Sequence, residues 1–121
     1  MPSQARARRV GDRIQEELAD ILLREVADPR LKAITVTEVE VDRELAYATI
    51  YVTSSDPDID PDVVIDGLEG ASGFLRSSLA ARIQLRVFPR LRFRWDASHE
   101  RGMRVEELLD QIKEEELKRG E

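Results

Sequence analysis

Residues 61–95 read PDVVIDGLEGASGFLRSSLAARIQLRVFPRLRFRW, and no other part of the chain restricts the choice of fold as strongly. Asp60 followed by Pro61 is typical of a helix N-terminus, because the carboxylate caps free N–H groups and proline fits the first turn. Apolar residues at helical spacing then lead to about Gly70. Gly70 and Gly73 weaken the helix, which predicts a kink between two helices.

The apolar pattern changes its period after the kink. Beyond Gly73 it first continues at helical spacing through Phe74, Leu75, Leu79 and Ile83. From Pro89 it alternates with arginine at every second residue, which predicts a strand with one apolar and one basic face. The apolar face holds Leu91, Phe93 and Trp95, and the basic face holds Arg90, Arg92 and Arg94.

The N-terminal half predicts one helix and a β-hairpin. Residues 6–26 carry an apolar stripe at helical spacing, and Asp28-Pro29 ends this helix because a residue before proline avoids helical angles. Residues 34–41 and 46–53 are rich in β-branched side chains, and their short connection implies antiparallel pairing. The first strand changes its alternation midway, which a bulge near Thr37-Glu38 would explain.

The C-terminal part predicts one more helix, with Ser98 as its cap. Its apolar side is formed by Val105, Leu108, Leu109 and Ile112. The predicted order is therefore α-β-β-α-kink-α-β-α, an α+β domain in which helices on one face of a three-stranded sheet bury every apolar stripe. We expect residues 6–113 to form this single domain, between a flexible N-terminus (1–5) and a charged, frayed tail (114–121).

Charge is distributed unevenly along the 121 residues. The net charge is −6, yet residues 71–95 hold six arginines and no acid, whereas residues 14–70 hold 4 basic and 15 acidic side chains. Such segregation predicts one basic face on an otherwise acidic molecule. Arginine outnumbers lysine 16 to 3, which suits bidentate recognition of phosphate, although a GC-rich genome would produce the same excess.

The composition disfavours several classes of protein. The chain has no cysteine, which excludes disulfides and thiolate metal sites, and no apolar run long enough to span a membrane. Its N-terminus lacks the apolar core of a secretory signal, so a cytoplasmic location is expected by default. His99 is the one histidine and stands at a predicted helix start, so we expect a capping or surface role for it and no enzymatic activity.

An acidic loop, residues 54–62, alternates aspartate with other residues as calcium-binding loops do. It lacks the glycine expected at the sixth position, and Glu69 falls two residues late for the last ligand. A solvated loop fits this pattern better than a cation site. A glycine-rich phosphate loop with an adjacent lysine is also missing, and we expect no cofactor and no metal.

The acid-free stretch favours binding of RNA phosphates. Arginines on an edge strand could instead be a solvated face that prevents aggregation, but a mixture of charges would serve that purpose equally well. Arg76 follows the kink, where free backbone N–H groups would also face an anion. The predicted RNA-binding residues are Ala71, Ser72, Gly73, Arg76, Arg86, Arg90, Arg92 and Arg94, with Arg8 and Arg9 of the first helix.

Three nearby side chains are left out of this predicted surface. Arg82 stands near the apolar stripe, and its long stem can extend from that stripe to solvent. Tyr47 and Tyr51 could stack on bases, but we expect a helix or the sheet edge to cover them.

Short segments throughout the chain match one known family in order and spacing. They include Arg9-Val10, Asp28-Pro29-Arg30-Leu31, Ala48-Thr49-Ile50-Tyr51-Val52, Ala71-Ser72-Gly73-Phe74-Leu75-Arg76, Pro89-Arg90-Leu91-Arg92-Phe93 and Val105-Glu106-Glu107-Leu108-Leu109. With these segments, residues 6–113 resemble the ribosome-binding factor A family. The order of elements also resembles a type II KH domain, in which Ala71-Ser72-Gly73 takes the place of the usual Gly-x-x-Gly loop.

The resemblance implies a non-enzymatic assembly factor for the small ribosomal subunit. Such proteins bind the free 30S subunit and its 16S rRNA and assist late maturation, including processing of the rRNA 5′ end, especially in cold growth. We expect a cytoplasmic monomer. The long C-terminal extension of some members is nearly absent here. An alternative is a protein-interaction module, in which the acidic region of residues 14–70 contacts a ribosomal protein or another assembly factor.

Overall fold

A computed structural model of the chain describes the backbone of residues 3–120 and the side chains of residues 3–98 and 106–120. Its elements are, in chain order, α1 (Gln4–Arg24), α2 (Pro29–Lys32), β1 (Ile34–Val41), β2 (Tyr47–Ser54), α3 (Pro61–Gly70), α4 (Ser72–Arg82), β3 (Arg90–Trp95) and α5 (Ser98–Arg119). This order confirms the predicted α+β, type II KH-like arrangement and adds one short helix.

The additional helix α2 forms where the sequence predicted only the end of α1. Asp28 caps α2 by accepting the N–H of Arg30 at 3.0 Å, and Pro29 occupies the first helical position. Arg30 forms an ion pair with Asp28 at 2.8 Å. The hydrogen bonds from Arg30 lower the pKa of the Asp28 carboxyl. The result is a self-capped turn that places Leu31 in the core.

The three strands form one sheet in the order β1-β2-β3. β1 and β2 are antiparallel, as predicted, whereas β3 lies parallel to β2 because α3 and α4 carry the chain back across the sheet. The predicted bulge is confirmed, since the register shifts between Val36 and Glu38. Thr37, the bulged residue, donates its hydroxyl to Asp96 at 2.6 Å, which joins the bulge to the end of β3.

The core lies on one face of the sheet, as predicted. Ala48, Ile50 and Val52 of β2 are fully buried there beside Phe93 of β3. They pack against α1, α3 and α4, whose fully buried side chains are Ile14, Leu18, Ile21, Val64, Leu68, Leu75 and Leu79. The side chains that alternate with these along β2 and β3 therefore occupy the opposite face, which is called the open face below.

α1 packs unusually close to β1. A Cβ atom added to Gly11 of α1 would lie 2.8 Å from the carbonyl oxygen of Val39, closer than real Cβ atoms come to an oxygen. One turn further along α1, Gln15 donates its side-chain N–H to the carbonyl oxygens of Val36 and Thr37, each at 3.3 Å. α1 thus satisfies backbone acceptors at the bulge, and Gly11 is the residue that permits this approach.

Both ends of the chain contain more helix than predicted. Ser3 caps α1 by accepting the N–H of Arg6 at 3.1 Å, so residues 4 and 5 of the expected flexible N-terminus are helical. α5 continues to Arg119 and includes most of the expected frayed tail. Ser98 is also not the cap of α5. It is the first helical residue, and Asp96 accepts its N–H at 2.9 Å.

The prediction that every apolar stripe is buried is wrong for α5. Leu108, Leu109 and Ile112 are 58, 51 and 50 % exposed. The apolar face of the sheet is already occupied by α1, α3 and α4, and α5 begins only after β3 has ended, so its stripe has no place in that core. The side chains of His99 and Val105, predicted as a cap and as part of the stripe, lie outside the described residues.

The aspartates of residues 54–62 close turns. Asp56 accepts the N–H of Asp58, and Asp60 accepts the N–H of Asp62 at the start of α3, each at 2.9 Å. In the part of the chain that the structure describes, no group of histidine or acidic side chains is arranged to hold a metal ion. Across the same residues, no helix is both long enough and apolar enough to cross a bilayer.

Candidate nucleic-acid interface

The predicted kink is confirmed, and its glycines are not needed by the fold. α3 ends at Gly70, Ala71 has φ −93° and ψ 0°, and α4 begins at Ser72. Neither Gly70 nor Gly73 has a positive φ, and a Cβ atom added at either position would meet nothing within 4 Å. The space beside both residues is therefore open to a ligand that approaches the backbone.

The first turn of α4 has no side-chain cap. Its N–H groups and the positive end of the helix dipole consequently face outwards at the kink, a favourable environment for an anion. Phe74, predicted in the buried stripe, is 51 % exposed here. Leu75 and Leu79, four residues apart, share the side of α4 that faces the core. Phe74 stands one residue before Leu75 and is turned away from that side, so it projects from the helix beside the kink instead.

A groove of about 400 Å³ joins the kink to β3. It is lined by Ser72, Gly73, Arg76, Arg90 and Leu91. Arg76 has a structural role there, because its guanidinium donates to the carbonyl oxygens of Phe88 at 2.6 Å and Pro89 at 3.1 Å. These bonds hold the loop that leads into β3. Direct contact of Arg76 with phosphate stays a prediction, now limited to the donors that these bonds leave.

The three arginines of β3 lie on the open face, as their alternation predicts. Phe93 is buried on the other side, whereas Arg90, Arg92 and Arg94 are exposed. The Cζ atom of Arg92 lies 3.6 Å from the centroid of the Tyr47 ring, and Arg94 donates to the carbonyl oxygen of Phe93 at 2.8 Å. The arginine face therefore has a defined geometry and remains open to solvent.

The expectation that a helix or the sheet edge covers Tyr47 and Tyr51 is wrong, because β2 is the central strand and its open face is not packed against α1, α3 or α4. Tyr47 is 37 % exposed and Tyr51 is half-buried, and both lie on the open face beside β3. The alternation of β2 already placed them opposite Ala48 and Ile50. Since all helices were predicted on one face of the sheet, this alternation already implied an open position for both tyrosines.

The remaining predicted residues do not all join this surface. Arg8 lines a second groove, between α1 and β1, together with Glu38, Glu40 and Asp42. Since β1 and β3 are opposite edges of the sheet, Arg8 is separated from the arginine face and surrounded by acids. Arg9 is exposed on α1, and Arg86 is exposed in the loop between α4 and β3.

Arg82 has a larger structural role than the predicted extension towards solvent. Its guanidinium donates to carboxylates of three acidic residues on and just after α1, at 2.8 to 3.0 Å. These are Glu17, Asp20 and Glu25. The hydrogen bonds, that to Asp20 first, raise the pKa of Arg82, and the bond from Arg82 lowers the pKa of Asp20. One of the six arginines of residues 71–95 is thus committed to joining α4 to α1.

We expect Arg82→Gln to lower the midpoint of thermal unfolding by several degrees at pH 7. The lowered pKa of Asp20 adds stability that is present above its ordinary value of 3.8 and is lost as the pH falls through its folded-state value. The difference from the wild type should therefore shrink in acid. Arg86→Gln, in an exposed loop, is the matched control. An equal loss of stability at pH 7 and pH 3 would contradict the ion-pair explanation.

Comparison with known proteins agrees with this architecture. The family model described as ribosome-binding factor A matches residues 6–109. The chain belongs to the ribosome-binding factor A family. It is 45 % identical over 113 residues to ribosome-binding factor A of Thiobacillus denitrificans, in an alignment that covers 93 % of this chain and 91 % of that protein. It is 47 % identical over 107 residues to the Nitrosomonas europaea protein of the same name, with 88 % and 92 % covered.

Solved structures of the family share the fold. The crystal structure of ribosome-binding factor A from Thermus thermophilus aligns with a TM-score of 0.63 and 25 % identity, over 76 % of this chain and 94 % of that one. A homology model of Thermus thermophilus ribosome binding factor A, fitted into the cryo-EM map of its complex with 30S, aligns with a TM-score of 0.61 and 28 % identity, over 72 % of this chain and 92 % of that one.

Proposed function

We propose that this chain binds the immature small ribosomal subunit through its 16S rRNA and assists late maturation, including processing of the rRNA 5′ end. The observation that carries the proposal is the exposed arginine face of β3, which adjoins an uncapped helix N-terminus flanked by open glycines. The Thermus thermophilus relative fitted into a 30S complex supports the choice of partner. We also propose that the protein acts in the cytoplasm as a monomer and catalyses no reaction.

The mechanism we propose is selection of one RNA conformation. Arg90, Arg92 and Arg94 neutralise phosphates along β3, while the backbone N–H groups of Ser72 and Gly73 donate to a phosphate at the start of α4. Binding therefore stabilises the RNA conformation that presents its backbone to β3 and to the start of α4 at the same time. Residues 14–70, with 4 basic and 15 acidic side chains, repel RNA and so disfavour contact through their surfaces.

Sedimentation of the tagged full-length chain with ribosomal fractions tests the proposal. We expect recovery with free small subunits and not with complete ribosomes, and we expect added salt to release the chain steeply. Equal recovery with complete ribosomes would count against a role in assembly. Release that is independent of salt would exclude the phosphate contacts.

A second candidate is a protein-interaction function through acidic surfaces. The groove between α1 and β1 favours it, because Glu38, Glu40 and Asp42 line this groove and would suit a basic ribosomal protein. Nuclease digestion before sedimentation separates the two candidates. Association that survives complete digestion of RNA would favour the protein partner.

Gly73→Ala should separate folding from binding. The added methyl group meets no atom within 4 Å, and alanine favours a helix over glycine, so we expect stability to stay equal or rise by about 0.5–1 kcal/mol. The methyl group would hold an RNA phosphate away from the α4 N–H groups, at a cost of roughly tenfold in affinity. Thermal unfolding and binding of labelled 16S rRNA fragments measure the two effects.

Gly67→Ala is the control for Gly73→Ala, since it makes the same change in α3 against Leu31, away from the kink. It should leave RNA affinity unchanged. Unaltered affinity of Gly73→Ala would show that RNA does not approach the kink closely.

A further inference from the structure

Tyr47 and Arg92 form a stacked pair on the open face of the sheet. The Arg92 Cζ atom lies 3.6 Å from the ring centroid of Tyr47, which is a stacking distance for a guanidinium over an aromatic ring. Tyr47 is 37 % exposed and Arg92 is exposed as well, so the pair is not a core contact. One side of the guanidinium meets the ring, and the other side faces solvent.

The fold offers little reason for this pair. Among the described residues, no carboxylate or carbonyl oxygen accepts a hydrogen bond from Arg92, in contrast to Arg76 and Arg82. The core lies on the other side of the sheet and includes neither residue. The guanidinium therefore keeps both its charge and its free planar side for a ligand.

The surroundings of the pair are suited to a polyanion. Arg90 and Arg94 lie on the same face of β3, each about 6.6 Å along the strand from Arg92. The acids of the open face, Glu38 and Glu40, lie on β1, at the other edge of the sheet. Asp42, just after β1, is the acid next to the pair, and its carboxylate accepts the backbone N–H of Tyr47 at 2.7 Å. The β2–β3 half of the face is thus basic and aromatic.

This half of the open face is continuous with the groove at the kink. Arg90 lines that groove and is also the register partner of Tyr47. A chain of phosphates that leaves the α4 N-terminus can therefore pass around the β3 edge at Arg90 and reach Arg92. The Glu69 carboxylate lies further along this edge, where it accepts the Phe93 N–H at 3.4 Å, so the crossing point is limited to Arg90.

We infer that an unpaired RNA nucleotide stacks its base on the free side of the Arg92 guanidinium, with Tyr47 supporting it from below. Arg90 and Arg94 neutralise the phosphates on either side. The stack requires a base that has left its own helix, because base faces in a duplex are already covered by their neighbours. The inference rests on the proposed RNA binding and narrows it to a single-stranded segment.

Fluorescence anisotropy with two labelled RNAs tests the inference on the full-length chain. The probes are a single-stranded oligouridine of about twelve nucleotides, close to the site sizes of such surfaces, and a duplex with a similar number of phosphates. Tyr47→Leu removes the ring, and Arg92→Lys keeps the charge but removes the plane. We expect each to weaken binding of the single strand roughly 5- to 50-fold and to change duplex binding less than about twofold.

Two matched variants serve as controls. Arg94→Lys makes the same replacement at the next open-face position of β3. Its register partner is Tyr51, but among the described residues the structure shows no ring stacked on the Arg94 guanidinium. Tyr47→Phe keeps the ring. Arg94→Lys should weaken binding of the single strand less than Arg92→Lys does, and Tyr47→Phe should weaken it less than Tyr47→Leu does. If Tyr47→Leu does not fold, as judged by circular dichroism, the comparison of Arg92→Lys with Arg94→Lys still decides the question.

The outcomes distinguish this inference from the proposed function. Equal losses of affinity for both RNAs, or equal effects of Arg92→Lys and Arg94→Lys, would overturn the stacking site. The surface would then recognise only the charge of the RNA. No loss with Tyr47→Leu or Arg92→Lys, while Arg90→Glu with Arg94→Glu still weakens binding, would overturn stacking only. If the double glutamate variant also binds both RNAs normally, the proposed RNA-binding function itself is wrong.

Discussion

We expect Arg90→Glu combined with Arg94→Glu to lower affinity for small-subunit RNA roughly 100-fold at physiological salt. Each arginine is exposed on β3 and neutralises one phosphate in the proposed complex, and each glutamate adds repulsion. The slope of log affinity against log salt should become less steep by about 2, one for each phosphate that is no longer neutralised. Filter binding of 16S rRNA fragments over a range of salt concentrations measures both quantities.

The matched control reverses the same amount of charge at the other edge of the sheet. Lys32 and Arg43 are exposed just before and just after β1, and Glu38, Glu40 and Asp42 stand between them in the sequence. Lys32→Glu with Arg43→Glu should leave the salt slope unchanged, because only long-range repulsion is altered. If both double variants weaken binding equally, net charge explains binding and the arginine face does not.

We expect Gly11→Ala to destabilise the fold by about 1–3 kcal/mol, although alanine is the better helix former. The new Cβ atom would lie 2.8 Å from the Val39 carbonyl oxygen, which is backbone and cannot rotate away. α1 would have to move off β1 and loosen the hydrogen bonds from Gln15 to the bulge. Urea unfolding followed by circular dichroism gives the change in unfolding free energy.

Gly67→Ala should change the unfolding free energy in the opposite direction and stabilise the fold. Its added Cβ atom would make an ordinary contact of 3.5 Å with Leu31, so the gain in helix propensity, about 0.5–1 kcal/mol, should be kept. The two glycines look alike in the sequence, since each stands inside a predicted helix. A Gly11→Ala protein as stable as the wild type would show that α1 can shift without cost.

Most of the fold follows from local patterns. Asp60-Pro61 at the start of α3, the fault in the alternation of β1 and the glycines around Ala71 each predict a feature that the structure confirms. Each pattern acts through the backbone of its own few residues, by capping, by pleat or by loss of helix propensity. At Ser98 the sequence misplaced one helix cap, and it began α1 two residues too late, at residue 6 instead of Gln4.

The candidate site could be predicted only in part. The strict alternation of β3 placed Arg90, Arg92 and Arg94 on one face, and the structure confirms that face. The sequence also suggested Arg8, which the fold places among acids at the other edge of the sheet. It gave no sign that Arg76 is already hydrogen-bonded to the loop before β3. Counting charge along the chain does not show which side chains already have partners.

The sequence by itself determined every element except the short α2, together with the order of the elements, the kink and the basic face of β3, because these depend on residues that are neighbours along the chain. Tertiary structure alone decided that Arg82 is bound to α1, that Gly11 must be glycine, and that Tyr47 lies beneath Arg92. Those facts depend on pairs far apart in sequence, brought together only when α1 packs on β1 and β3 joins β2. It also decided that α5 is left with an exposed stripe, since the one apolar face of the sheet was already covered.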